Sequence, residues 1–235
     1  GPADGPASKV GVATVDIATG LNATIAILAA LQQRTRTGEG QYIDLSLFDV
    51  QLQALANVAA SVLFTGENAR RYGNAHPSIV PYQTFDASDG AFALACASDR
   101  LWQRLCGLID RPKWIEEPRC ATNAARVEHR DWGIAQLAEC FKTASIATWL
   151  TRFEAAGIPA APVNSVHDAV NGALATARGL RIEADGVPMI ASPLRMSASP
   201  MNSPVRPPRL SEHADTICAA HGFDADGLRS AGAIR

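Results

Sequence analysis

One acidic side chain stands apart in this chain. Asp16 lies within the run from Lys9 to Leu31, KVGVATVDIATGLNATIAILAAL, between a short apolar stretch and a long apolar, helix-prone one. A carboxylate is costly to bury unless it is paired, capping or reacting. An Asp that opens a helix therefore has two readings, and the spacing leaves both open. As a cap, its oxygen accepts from a backbone N–H two or three residues on. As a reagent, it stays ionised beside the partial positive charge of the helix start and faces a pocket, ready for chemistry that needs a charged carboxylate.

The other chemistry-bearing residues read more plainly. The pair Arg70-Arg71 is either a solvated loop face or, where that loop borders a pocket, a holder of a carboxylate or phosphate. Five histidines (His76, His129, His167, His213, His221) are scattered without metal-ligand spacing. His213 and His221 come closest but lack a third partner, so no metal site is expected. Five cysteines (Cys96, Cys106, Cys120, Cys140, Cys218) are odd in number, widely spaced and contain no CxxC pair. They read as reduced thiols packed as small hydrophobes, without a disulfide framework. No GxGxxG after a strand, Walker A, HExxH or GxSxG motif is present.

Composition narrows the function classes. The chain has 235 residues, 47% of them hydrophobic, enough for one large or two modest domains with a real core. The formal net charge of −2 and the lack of basic runs exclude a phosphate-backbone reader, so no nucleic acid is expected. The most apolar stretch, Ile17 to Leu31, is interrupted by Thr19, Gly20, Asn22 and Thr24 and reads as a buried core helix, not a membrane span. With no secretory leader and reduced cysteines, a cytoplasmic protein is expected. The chain opens Gly1-Pro2-Ala3-Asp4-Gly5-Pro6 without Met, which suggests a processed or engineered product, or the downstream piece of something longer.

These residues need elements to position them. The pattern predicts a helix over 16–36, stopped by Gly38 and Gly40, a strand over 41–45, and a helix over 46–65 stopped by Gly66. Residues 68–81, with two prolines, read as a loop. A small α/β unit follows: strands at 82–85, 91–97 and 160–163, and helices at 101–109, 126–139 and 146–156. Ser98 or Asp99 is expected to cap the first of these helices. Beyond 164 come a helix over 166–174, a hairpin turning at Asp185-Gly186, a proline-rich run over 193–208 and terminal helices over 210–221 and 226–231.

Five segments carry a family resemblance: GPASKVGVATVDIATG, AALQQRTRTGEGQYIDLSLFD, RYGNAHPSIVPYQTF, AGIPAAPVNSV and the tail PPRLSEHAD with LRSAGAI. They span nearly the whole chain, and the sequence resembles the downstream part of the family III CoA-transferases, a group with the CaiB/BaiF-like proteins and the α-methylacyl-CoA racemases. The resemblance implies an α/β fold. It comprises part of a doubly wound large domain, whose upstream half has no counterpart here, and a smaller central α/β domain, in an interlocked homodimer. The implied division is 1–66 for the large-domain part, 67–81 for a linker, 82–163 for the small domain and 164–235 for the return to the large domain.

The resemblance also implies a role for Asp16. It occupies the family's nucleophile position, which implies CoA transfer from an acyl-CoA thioester to a small carboxylic or dicarboxylic acid through an aspartyl anhydride and an aspartyl-CoA thioester. No permanently bound cofactor is implied; coenzyme A thioester is the substrate. In the loop, Gly73, Asn74, His76 and Ser78 are expected to contribute to substrate or CoA binding. Where a relative has a glycine-rich lid, this chain has His76-Pro77-Ser78-Ile79, stiffened by proline; an ordinary linker is the plainer reading of the same segment. A 2-methylacyl-CoA racemase would need two acid/base groups, and Ser98 stands where its acid is expected, with Asp99 one residue on. Racemisation is therefore the less favoured activity. A non-catalytic, split or truncated relative of the fold is the further alternative, and activity is expected to require the upstream segment or a partner chain.

Overall fold

The run after Asp16 folds as one helix, α1 (Thr14–Thr37), in this computed structural model, which describes residues 1–199 and 204–235. Its hydroxyl and amide side chains bond back to the helix: Thr19 Oγ1 donates to Val15 O (2.7 Å) and Asn22 Nδ2 to Ala18 O (2.9 Å). Gly38 ends it at φ 80°, a left-handed position where its N–H reaches Arg34 O. The expected burial does not hold. No residue of α1 is buried, and Ile17, Leu21, Ile25 and Leu28 form an exposed stripe at helical spacing. Length and composition alone would let this helix cross a bilayer.

Two further expectations fail near it. Residues 41–45 form no strand, because no neighbouring strand pairs with them. The helix over 46–65 is two: α2 (Leu47–Ala54), capped by the Ser46 hydroxyl, and α3 (Asn57–Thr65), bent by 81° from it. The break falls at Ala56, whose positive φ of 46° is uncommon for a residue with a side chain.

Past the loop, alternation builds the core. Strands β1 (Tyr82–Asp86), β2 (Ala91–Ala95) and β3 (Ala160–Pro162) pair antiparallel in the order β1-β2-β3, with Phe85 opposite Phe92. Phe92 and Leu94 point to one face and are fully buried. That face is covered by α4 (Asp99–Leu108), α6 (Arg130–Phe141) and α7 (Ile146–Ala156), with a 3₁₀ turn over Pro112–Ile115 and the short helix α5 (Asn123–Glu128) in the connection from α4 to α6. Each main helix sends in residues three or four apart: Trp102 with Leu105 and Cys106, Leu137 with Phe141, Trp149 with Phe153. Phe141 meets Phe85, Phe92 and Trp149 edge-on at 5.0, 5.2 and 5.2 Å, contacts worth about 0.5–1.5 kcal/mol each beyond burial. Ser98, not Asp99, caps α4, and the helix expected over 126–139 is split at His129.

Residues Gly1–Val163 form one compact unit and Asn164–Arg235 another. The second holds α8 (Val166–Asn171), α9 (Ala173–Ala177), the hairpin β4 (Arg181–Ala184) with β5 (Val187–Ile190), α10 (Ala214–His221) and α11 (Ala225–Ser230). Asp185 and Gly186 both take positive φ, as a tight two-residue hairpin turn requires. Part of the proline-rich run, 200–203, lies outside the described residues. All strand pairing among the described residues is antiparallel, and residues 1–66 contribute helices only, so the doubly wound sheet is not formed by them.

Candidate functional site

The loop between α3 and β1 is rigidly tied. Gly73 sits at φ 61°, the left-handed region that favours glycine. Asn74 Nδ2 donates to Thr84 Oγ1 (3.2 Å), so the loop leans on β1. The His76 backbone N–H reaches Tyr82 O (2.9 Å), and its ring stacks on Tyr82 with centroids 5.3 Å apart. His76 Nδ1 accepts from the Ser78 N–H (3.2 Å), a bond the neutral ring makes with its hydrogen on Nε2. These bonds place four of the five expected site residues together.

Three side chains hold the loop from behind, and the sequence reading did not assign them this work. Asn123 bonds twice: its Oδ1 accepts from Val80 N (3.2 Å) and its Nδ2 donates to Ser78 O (2.9 Å). Arg126, buried, donates to Val80 O (2.7 Å), Cys120 O (2.9 Å) and Asp99 Oδ1 (2.8 Å). Arg130 Nη2 donates to both His76 O and Pro77 O at 2.9 Å. The three recur at intervals of three and four, so a polar stripe at helical period was the available signal.

Beside the loop lies a cavity of about 540 Å³, lined by α3 and by residues 67–70, 72, 77 and 78; of the four expected loop residues only Ser78 reaches it, while Gly73 and Asn74 line a separate hollow with Gly1 to Ala3. Val58 and Val62 give it an apolar wall, while Ser61, Arg70, Tyr72 and Ser78 give it polar groups. Arg70 Nε donates to the Tyr72 hydroxyl (2.9 Å), which with the Tyr72 charge holds the guanidinium pKa above its ordinary value. Arg130 lies over the same ring at 5.5 Å, and its Nη1 is buried with no hydrogen-bond partner among the described residues. The Arg70-Arg71 pair thus separates: Arg71 donates to Pro2 O (3.3 Å) and Gly5 O (2.6 Å), whereas Arg70 faces the cavity.

Asp16 stands elsewhere on the chain. It lies in the first turn of α1, exposed, and the N-cap position belongs to Ala13, which makes no side-chain cap. The capping reading is therefore overturned. No hydrogen bond or ion pair engages the Asp16 carboxylate among the described residues, and none joins it to Gly73, Asn74, His76 or Ser78. Three of the cysteines are held as unreactive thiols: burial pushes Cys96 and Cys106 up to about 12 and Cys120 to about 11.

A carboxylate unpaired among the described residues at a helix start, and a cavity lined by a guanidinium that bonds only to a tyrosine hydroxyl among those residues, is geometry that many folds permit. Comparison with known proteins decides among them: the sequence pattern of CoA-transferase family III matches residues 1–214. The chain belongs to the family III CoA-transferases. It is 36% identical over 229 residues to the succinate–glutarate CoA-transferase of Agrobacterium fabrum, covering 93% of this chain and 56% of that protein. It is 37% identical over 222 residues to the succinyl-CoA:glutarate CoA-transferase of Mus musculus, covering 92% and 51%. Among solved structures, a CaiB/BaiF family protein from Brucella suis matches with 41% identity and a TM-score of 0.77, over 94% of this chain and 58% of that one. This member of the family spans about half the length of the curated relatives it matches.

Proposed function

We propose that the chain carries the nucleophile of a CoA-transferase acting between short dicarboxylic acids, with Asp16 as the attacking group. The single observation that supports the role is that Asp16, at the start of α1 in a family III member, is exposed and has no partner among the described residues. An Asp16 oxygen attacks the donor thioester carbonyl; the C–S bond breaks, leaving a mixed anhydride and CoA thiolate. The thiolate attacks the aspartyl carbonyl, releasing the donor acid and forming aspartyl-CoA. The acceptor carboxylate then displaces the thiolate into a second anhydride, and thiolate attack on its acyl carbon yields the new acyl-CoA and free Asp16. Each step trades one acyl bond for another, so catalysis is mainly desolvation and alignment of a weak nucleophile.

Dicarboxylates are favoured as substrates because relatives are named for succinate and glutarate. Gly73, Asn74, His76 and Ser78 would border the acyl or acceptor group. The bare apolar stripe of α1 supports a large-domain or dimer role for residues 1–66, with 67–81 as linker, 82–163 as small domain and 164–235 as return. An interlocked homodimer, a cytoplasmic setting, and dependence on an upstream segment or partner chain complete the reading. Racemisation is disfavoured by geometry: Ser98 is spent as a helix cap and Asp99 is paired with Arg126.

Mass spectrometry after mixing the intact protein with succinyl-CoA and quenching with hydroxylamine or borohydride tests the proposal. Modification confined to Asp16 is expected. Absence of any adduct, with wild type and Asp16→Asn indistinguishable, leaves the non-catalytic alternative; solvent exchange of an α-proton without an adduct leaves the racemase.

A further inference from the structure

We propose that Arg70 forms a carboxylate subsite with Ser78 and Tyr72, holding the far end of a short dicarboxylic acid. The proposal rests on the transferase reading for the identity of the acid, and on the cavity alone for the binding.

Arg70 and Arg71 are adjacent, yet only one is spent on structure. Arg71 ties down the backbone at Pro2 and Gly5. Arg70 uses Nε on the Tyr72 hydroxyl and forms no ion pair among the described residues. With Nε engaged, the two terminal nitrogens are left side by side, the arrangement that takes both oxygens of a planar carboxylate. The Tyr72 bond also fixes the guanidinium plane before any ligand arrives, which lowers the ordering cost of binding.

The cavity fits that ligand. Its volume, about 540 Å³, lies in the range of small-molecule sites. Val58 and Val62 suit a run of methylenes, and Ser61 and Ser78 offer hydroxyl donors. The lining carries one cation, Arg70, and one acid, Glu67, a net charge of zero that offers too little positive charge for the several phosphate charges of coenzyme A; a single carboxylate set directly on the Arg70 guanidinium is the anion it can hold. A second guanidinium reinforces the positive potential: Arg130 and Arg70 lie 5.5 and 5.0 Å from the Tyr72 ring centroid. In a transferase between dicarboxylates, the free end of the donor acyl group and that of the acceptor acid have the same chemistry, and one subsite serves both.

Titration calorimetry on the intact protein tests this without turnover, using glutarate, pentanoate and coenzyme A as probes. Wild type is expected to bind glutarate at least tenfold more tightly than pentanoate. Arg70→Gln should lose that tenfold preference while its pentanoate and coenzyme A affinities stay within twofold, and Arg70→Lys should recover part of it. The subsite is overturned if wild type shows no preference for glutarate, if Arg70→Gln leaves glutarate unchanged, or if coenzyme A weakens in its place, which would assign Arg70 to a phosphate. If wild type shows the Arg70-dependent preference for glutarate while no aspartyl adduct ever forms on it with succinyl-CoA, the transferase reading fails and the subsite stands.

Discussion

Arg126 and Asp99 meet at 2.8 Å across the join between α4 and α5, and the contact is unequal: the Arg126 side chain is 2% exposed, the Asp99 side chain 52%. The guanidinium also closes over the Trp102 ring at 4.9 Å and holds the carbonyls of Val80 and Cys120. One buried cation therefore fastens the end of the site loop to the helical layer. A buried charge is tolerable only when it is paired and hydrogen-bonded, and here each of the three guanidinium nitrogens donates to an oxygen.

That inequality gives different costs to the two partners. Arg126→Met should destabilise by about 2–4 kcal/mol, since two buried carbonyls lose their donor. Asp99→Ala should cost about 1 kcal/mol, because water can reach the vacated position. Urea unfolding of both variants measures this, and equal losses would contradict the clamp.

Asp16 should be nearly free of structural work. It is exposed and engages no partner among the described residues, so Asp16→Asn should change stability by no more than about 1 kcal/mol, the scale of its interaction with the helix start. The same substitution should abolish CoA transfer. Thermal unfolding and activity on one preparation separate these effects; a large stability loss would turn Asp16 into a structural residue.

The buried thiols predict alkaline sensitivity. Burial first, with neighbouring groups adding less, raises Cys96 and Cys106 from 9.0 to about 12 in the folded protein. Raised acid pKa values mean stability that is complete below 9 and lost as pH rises towards 12, because the unfolded chain sheds these protons first. Each thiol should then cost up to about 1.4 kcal/mol per pH unit within that window. Unfolding midpoints between pH 8 and 10.5 should fall more steeply in wild type than in Cys96→Ala/Cys106→Ala, and matching slopes would refute the assignment.

Legibility varied with the range of the force involved. The hairpin at Asp185-Gly186, the stop at Gly157 and the β2 alternation were readable because backbone geometry and period-two burial are local. Residues 41–45 alternate like a strand and Ala56 sits in a helical pattern, yet neither behaves so. A strand needs a neighbour, and a bend answers to packing that lies far off in sequence.

The amino-acid order alone placed an acid at the head of an apolar helix, marked the loop over 73–78 and carried the family likeness, all through local spacing and motif. Only the tertiary structure parted Arg70 from Arg71, drew Asn123, Arg126 and Arg130 behind that loop, and denied Asp16 a capping role. The ties of Arg71, Asn123, Arg126 and Arg130 depend on which backbone groups meet across 40 residues or more, and the setting of Arg70 on which side of a loop a cavity opens. Neither is written in any short window of the chain, because contacts between distant segments are set by how whole elements pack.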